Sequence, residues 1–226
     1  MAEESSGKGE EIYSGSDLIR KRKNGIRGMK AKELIPLHVT AYDARIYDED
    51  CVQVIKTEKL LEFDTNSYAK LKNCDFHNGT IEVKVLSRLL PDAPDYARGF
   101  IGIAYRIAED DSSFESFYVR PTNGKTDDPV RKSHGAQYFS YPVHTFAWFR
   151  KRGITRYDGR IEEGLDEWID LKAVIHDEKA VFYVNGRKTV EVNDMYLGEE
   201  QRGSVGLFVD IGTEGYFRDL KITYED

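Results

Sequence analysis

After residue 32 the chain alternates hydrophobic and polar residues with a period of two, in short runs broken by turn signals. GTIEVKVLS, at 79–87, sets Ile81, Val83 and Val85 against Glu82 and Lys84. This is the pattern of a strand with one face in a core and the other in water. Asn78-Gly79 before it reads as a tight turn. CVQVIKT (51–57) and KLLEF (59–63) read as strands on the N-terminal side, separated only by Glu58. GFIGIAYRI and SFESFYVRP (99–107 and 113–121) are predicted to be antiparallel neighbours around an acidic turn. EWIDLKAVIHDEKAVFYVNGRKTVEVND (167–194) predicts a three-stranded meander turning at Asp177-Glu178 and at Asn185-Gly186. RGSVGLFVDIGTEGYFRDLKITYED (202–226) supplies two closing strands around Gly212 to Gly215. No helical period competes, so the expectation is an all-β sandwich or barrel. Gly102 and Gly206 inside strands predict bulges or a curved sheet, with a concave face for a ligand.

Composition supports this picture. The 226 residues include 14 Tyr, 11 Phe and 2 Trp, enough aromatic volume to fill a sandwich core. The net charge of −7 argues against nucleic acid as a partner of the folded domain. Residues 1–32 depart from the rest, with eight basic and five acidic side chains. They are expected to form a flexible charged N-terminal arm ahead of a β domain at 33–226. No apolar run is long enough to span a membrane, and no export segment follows Met1. A cytoplasmic chain and an exported one whose signal has been removed are both consistent with this. Cys51 and Cys74 are read either as one bridge or as two free thiols.

Four segments carry a family resemblance: CDFHNGTIEVKV, RGFIGIAYRIAEDDSSFESFYVRP, GLDEWIDLKAVIHDEKAVFYVNGRKTVEVND and GSVGLFVDIGTEGYFRDLKI. In that order they resemble the concanavalin A-like lectin/glucanase superfamily, including its laminin G-like and bacterial glycan-associated members, over roughly residues 45–224. The resemblance implies a two-sheet antiparallel jelly-roll sandwich, often with a sugar-binding concave face. Its members bind glycans, cleave them, or bind proteins, so fold alone does not choose among these. The expected partner is an oligo- or polysaccharide, with a protein partner as the alternative. No cofactor is assigned. A structural calcium ion, which many members hold, is left unassigned among Glu109, Asp110, Asp111, Asp127, Asp128 and Asp219.

Glycoside hydrolysis is the second reading. Retaining glucanases that resemble this chain carry E-x-D-x-x-E or E-x-D-x-E on one strand, so that two carboxylates flank one glycosidic bond. LEFDTNS puts Glu62 and Asp64 on one face but has Asn66 and Ser67 where the third acid belongs. In LDEWID, Glu167 and Asp170 would point to opposite faces of a strand. Asp210, Glu214 and Glu115 could each pair with a carboxylate from a distant strand, and Asp210 and Glu214 remain as the weak catalytic candidates.

The binding-face reading starts from ESFYVRPTNGKTDDPVRKSHGAQYFSYP at 115–142, which crowds Tyr118, Arg120, Asn123, His134, Gln137 and Tyr138 together. Alternation sends Phe117 and Val119 inward and Tyr118 and Arg120 outward. The same logic turns Ile101, Ile103 and Tyr105 inward and Arg106 outward. Val205, Leu207 and Val209 point in, and Phe208 and Asp210 out. The predicted ligand-binding set is Arg106, Tyr118, Arg120, Gln137, Tyr138, Trp148, Phe208 and Asp210. Guanidinium and carboxylate groups would hydrogen-bond hydroxyls while rings stack on sugar faces. The competing reading makes Arg106, Arg120 and Asp210 a salt-bridge network and packs Phe208 under the long loop-rich region 121–160, where Gln137, Tyr138 and Trp148 lie. Trp168 reads as a core anchor and His134 as an exposed loop residue.

Overall fold

The computed structural model describes residues 28–57 and 62–225. Most of the expected arm lies outside them, as does the Lys59–Leu61 part of the expected strand KLLEF. The strands are β1 Leu34–Leu37, β2 Val39–Ile46, β3 Glu49–Lys56, β4 Tyr68–Leu71, β5 Asn78–Leu89, β6 Ile101–Ile107 and β7 Phe114–Val119. They continue as β8 Ala136–Tyr141, β9 Asp158–Gly159, β10 Ile169–His176, β11 Lys179–Val184, β12 Arg187–Val192, β13 Ser204–Val209 and β14 Thr213–Glu225. Three short helices interrupt them: α1 Pro121–Gly124, α2 Pro129–Lys132 and α3 Phe146–Lys151. No helix among the described residues is long and apolar enough to cross a membrane.

The strands form two seven-stranded sheets packed face to face, with every pairing antiparallel. The first has the order β1-β4-β13-β6-β7-β8-β9 and the second β12-β11-β10-β5-β14-β3-β2. Alternation dictates which residues meet between them. Ile103 pairs with Phe117 and Leu207, and Phe117 stacks on Phe182 of β11 at 4.4 Å. From the second sheet, Val83, Val85 and Phe217 complete one continuous core. On β5 the intervening Glu82 and Lys84 are half-exposed, as the period-two pattern requires. The chain joins this core at Met29, which is buried, and the Ala31 amide donates to Asp43 at 2.7 Å.

Local turn chemistry was mostly legible. Asp177 at φ 53°, Asn185 at φ 47° and Gly186 at φ 75° make the two meander turns where left-handed backbone is expected. Asn78-Gly79 is an exception. Both residues lie inside β5, and a Cβ on Gly79 would come within 1.9 Å of the Thr223 carbonyl oxygen. That glycine admits the neighbouring strand and does not reverse the chain. β1, β2, β4, β8 and β9 went unpredicted, the last two lying in the stretch 121–160 that reads as loop-rich. β2 is an edge strand whose Asp43 and Arg45 face solvent, which blurs its hydrophobic signal. Register does shift in β13 between Ser204 and Gly206, as the internal glycine predicted.

Both cysteines are free, Cys51 buried and Cys74 half-buried. Trp168 is not in the main core. It packs beside a smaller cluster of Ile46, Cys51, Leu86 and Tyr216, with the Arg218 guanidinium 4.8 Å from its ring.

Candidate functional site

The face of the first sheet turned away from the second carries an aromatic stripe. Tyr68, Phe114, Phe139, Phe208 and Tyr118 meet along it with ring centroids 5.1–5.7 Å apart. Sequence alternation predicted that Tyr118 and Phe208 would face this way, and they do. The stripe is not an open platform, however: none of the five is more than 1% exposed. At one end of the stripe two irregular segments meet over it. Phe63, before β4, lies 5.5 Å from Phe100 and 5.6 Å from Phe146, after β8. The Asp64 amide donates to Asp210 Oδ2 at 2.8 Å, and the Asp64 carboxylate accepts the Phe146 amide. The described part of LEFDTNS, EFDTNS at 62–67, is therefore a covering segment rather than a strand. Asp64 itself sits at φ 56°, so Glu62 and Asp64 do not share a strand face.

This cover turns much of the predicted site into structure. Asp210 is 2% exposed and receives Lys56 Nζ at 2.7 Å, while Thr65 Oγ1 takes the same ammonium at 2.7 Å. Burial, with the Asp210 carboxylate beside it, pushes Asp64 up to about 6. Tyr138 faces the interior, where its hydroxyl donates to Glu115 Oε2 at 2.5 Å. Arg106 lies at the far end of β6 from the Arg120 end and is fully buried. There it donates to the His77 carbonyl at 2.9 Å, the Gly198 carbonyl at 3.2 Å and Asn78 Oδ1 at 3.0 Å. Trp148 is half-buried on α3 against His144, and the Arg152 guanidinium lies 4.0 Å from its ring. Glu214 projects from the second sheet, accepting from Gln53 Nε2 at 2.8 Å, and does not meet Asp210. The buried Asn78 also receives the Asp177 amide at 2.8 Å. Of the residues considered for calcium, Asp111 is taken up by Lys70 and Tyr68, and Asp128 caps α2.

What the fold leaves open is a cleft of about 390 Å³ at the Arg120 end of the same face. Its rings are Phe63, Tyr96, Phe100 and Phe146, and its charges are Arg98, Arg120, Arg131 and Arg150. Asn123, Val130 and His134 complete the lining, and no Asp or Glu among the described residues contributes to it.

Arg120 is the anchor of the cleft. The β7–β8 register sets Tyr118 opposite Gln137. Arg120 Nη2 donates to both of these side chains, at 2.6 Å for Tyr118, and Nη1 reaches the His134 carbonyl at 3.1 Å. Behind it the buried Asp158 carboxylate lies 3.7 Å from Arg120, 3.3 Å from Arg150 and 3.2 Å from His134 Nδ1. Burial raises the Asp158 carboxyl above its ordinary value despite these cations, and burial lowers His134 despite Asp158. The crowding in 115–142 thus has a structural answer: the segment builds the cleft wall. Arg131 Nε donates to Asn123 Oδ1 at 3.2 Å, and Asn123 Nδ2 to the His134 carbonyl at 3.0 Å. His134 is half-buried at the cleft, not a free loop side chain.

Of the predicted ligand set only Arg120 lines the cleft, with Tyr118 and Gln137 directly behind it. Sequence reasoning missed Phe63, Tyr96, Arg98, Arg131, Phe146 and Arg150. The available signal was the run of arginines from Arg120 to Arg156 in an otherwise acidic domain.

No protein-family model matches the chain, and no curated protein matches it. Among solved structures it is similar to the carbohydrate-binding module CBM66 from Bacillus subtilis, with a TM-score of 0.57 and 12% identity over 88% of this chain and 99% of that one. A Bacillus subtilis protein of unknown function with a galectin-like fold gives 0.53 and 12%, covering 85% and 90%. A candidate glycosyl hydrolase from Parabacteroides distasonis gives 0.53 and 12%, covering 89% and 98%. These likenesses are at the level of fold: the chain shares a two-sheet antiparallel β-sandwich with these structures.

Proposed function

We propose that this chain is a carbohydrate-binding β-sandwich domain and that it takes its glycan in the Arg120 cleft. The observation that carries the reading is the lining itself: partly exposed rings of Phe63, Tyr96 and Phe146 stand beside guanidinium donors in one recess. A ring gives an apolar platform to a pyranose or furanose face, and guanidinium groups hydrogen-bond hydroxyls at fixed geometry. The likeness to a carbohydrate-binding module supports the same reading at the level of fold. The domain is taken as residues 33–226, with the charged arm of 1–32 meeting the sandwich at Met29.

Within the predicted set, Arg120, Tyr118 and Gln137 belong to this site as a buried scaffold that aims the cleft. Direct contact falls to Arg98, Arg131, Arg150 and Tyr96.

A glycan array of the full chain, run beside Arg131→Ala and Tyr96→Ala, tests the proposal. Binding that is lost in both variants, with melting temperatures kept near wild type, is the expected result. Silence by a demonstrably folded chain, or binding indifferent to both variants, overturns it. Protein partners captured in a sugar-insensitive way would favour the laminin G-like alternative.

A further inference from the structure

The charge balance of the cleft goes beyond generic sugar binding. Four guanidinium groups line it, and the buried Asp158 is the carboxylate paired with them, contacting Arg120 and Arg150. Arg98 and Arg131 form no ion pair with any carboxylate among the described residues. Arg98 Nη1 donates to the Asp95 and Ala97 carbonyls at 2.7 and 2.8 Å. Arg131 spends Nε on Asn123 Oδ1, and Nη2 on the Thr122 carbonyl and hydroxyl at 3.3 and 3.2 Å. That leaves Nη2 of Arg98 and Nη1 of Arg131 without a protein acceptor among the described residues. The nearby Asp128 carboxylate is turned away into the cap of α2, accepting the Val130 and Arg131 amides.

Such a cluster is unfavourable by itself. Like charges held in a partly buried recess repel one another more strongly than they would in water. Arg98 shows the effect: partial burial and the neighbouring Arg131 and Arg120 lower its proton affinity. The accumulation occurs in a chain whose net charge is −7, so it does not reflect a generally basic surface. Neutral hydroxyls would satisfy the free N–H donors but would leave the charge uncompensated. An anionic group would satisfy both, and a planar carboxylate or a tetrahedral sulfate each matches the guanidinium fork.

We infer that the ligand of the cleft is an anionic saccharide, its carboxylate or sulfate ester held by Arg98 and Arg131 while Tyr96 and Phe63 pack on the ring. The inference rests on the carbohydrate reading above and narrows it.

The test is calorimetric titration of the full chain with matched probes. Oligogalacturonate is compared with its methyl ester, dextran sulfate with dextran, and sodium sulfate is run alone. Expected is binding of at least one acidic saccharide at least 10-fold tighter than its neutral match, weakening as salt rises. Arg98→Ala and Arg131→Ala should each weaken the acidic ligand by about 10-fold and reduce the preference for it over its neutral match. The uronate and sulfate arms decide which anion the site takes. Equal binding of acidic and neutral partners would overturn the inference while leaving the carbohydrate reading intact. Binding of sulfate alone at equal strength to any saccharide would show an anion site and overturn the carbohydrate reading. No binding in any arm by a folded chain overturns both.

Discussion

Replacing Glu115 by Gln should remove a specific part of the pH dependence of stability. Glu115 lies on β7 facing the second sheet and is fully buried. One oxygen accepts the Tyr138 hydroxyl at 2.5 Å and the other the Leu197 amide at 2.9 Å. Burial pushes its carboxyl from 4.5 up to about 7, against those hydrogen bonds and the more distant Arg106. The folded chain therefore keeps this proton up to about pH 7, whereas the unfolded chain releases it near 4.5. Between those values the native state binds more protons, so its stability falls as pH rises. The contribution is fully present below about 4.5 and is lost by the time pH passes 7. At roughly 1.4 kcal/mol per pH unit, the interval corresponds to about 3 kcal/mol. Gln is nearly the same shape and cannot titrate. Urea unfolding of wild type and Glu115→Gln at pH 4.5, 5.5, 6.5 and 7.5 gives a difference curve in which the titrations common to both chains cancel, that of Asp64 included. This curve should fall by about 3 kcal/mol in the disfavour of wild type. The slope is diagnostic; a constant offset reflects only how well the amide replaces one oxygen. A flat curve, or one that rises with pH, would mean that the hydrogen bonds outweigh burial and that the reasoning is wrong.

Two further substitutions probe the frame of the cleft. Arg120→Ala should cost about 3 kcal/mol, because the buried Tyr118, Gln137 and Asp158 lose a shared cation. A urea midpoint within experimental error of wild type would instead place Arg120 among ligand-contacting surface groups. Gly102→Ala should destabilise by about 3 kcal/mol or prevent folding, since the new Cβ would lie 2.1 Å from the Phe117 carbonyl oxygen and 2.5 Å from the Tyr118 Cα. An unshifted melting temperature would show that β6 and β7 can separate locally.

The period-two pattern assigned faces correctly along β5, β7, β13 and β6 up to Tyr105, because alternation is a property of the extended backbone and needs no knowledge of neighbours. Arg106, at φ 51°, breaks it: expected to face outward, it is fully buried and reaches His77 and Asn78 at the start of β5. Asp177, Asn185 and Gly186 were equally legible, since left-handed backbone favours those residues locally. Alternation says that Tyr118 and Phe208 leave the core side, but not whether water meets them there. That was decided by tertiary packing over the stripe, in which the segments carrying Phe63 and Phe146, on either side of the 100–141 stretch, close its Tyr118 end through Asp64 and Asp210. Asn78-Gly79 failed as a turn because the approach of β14 requires the missing side chain. The cleft was hidden for the same physical reason. Arg98, Arg131 and Arg150 lie in irregular or briefly helical segments with no periodicity to read, and their shared recess exists only once β7 and β8 are paired and the covering segments are in place. Sequence alone determined an all-β fold, a sandwich by resemblance, and the facing of the strands it revealed; packing between distant segments decided which outward side chains became core and which four arginines came to face one another.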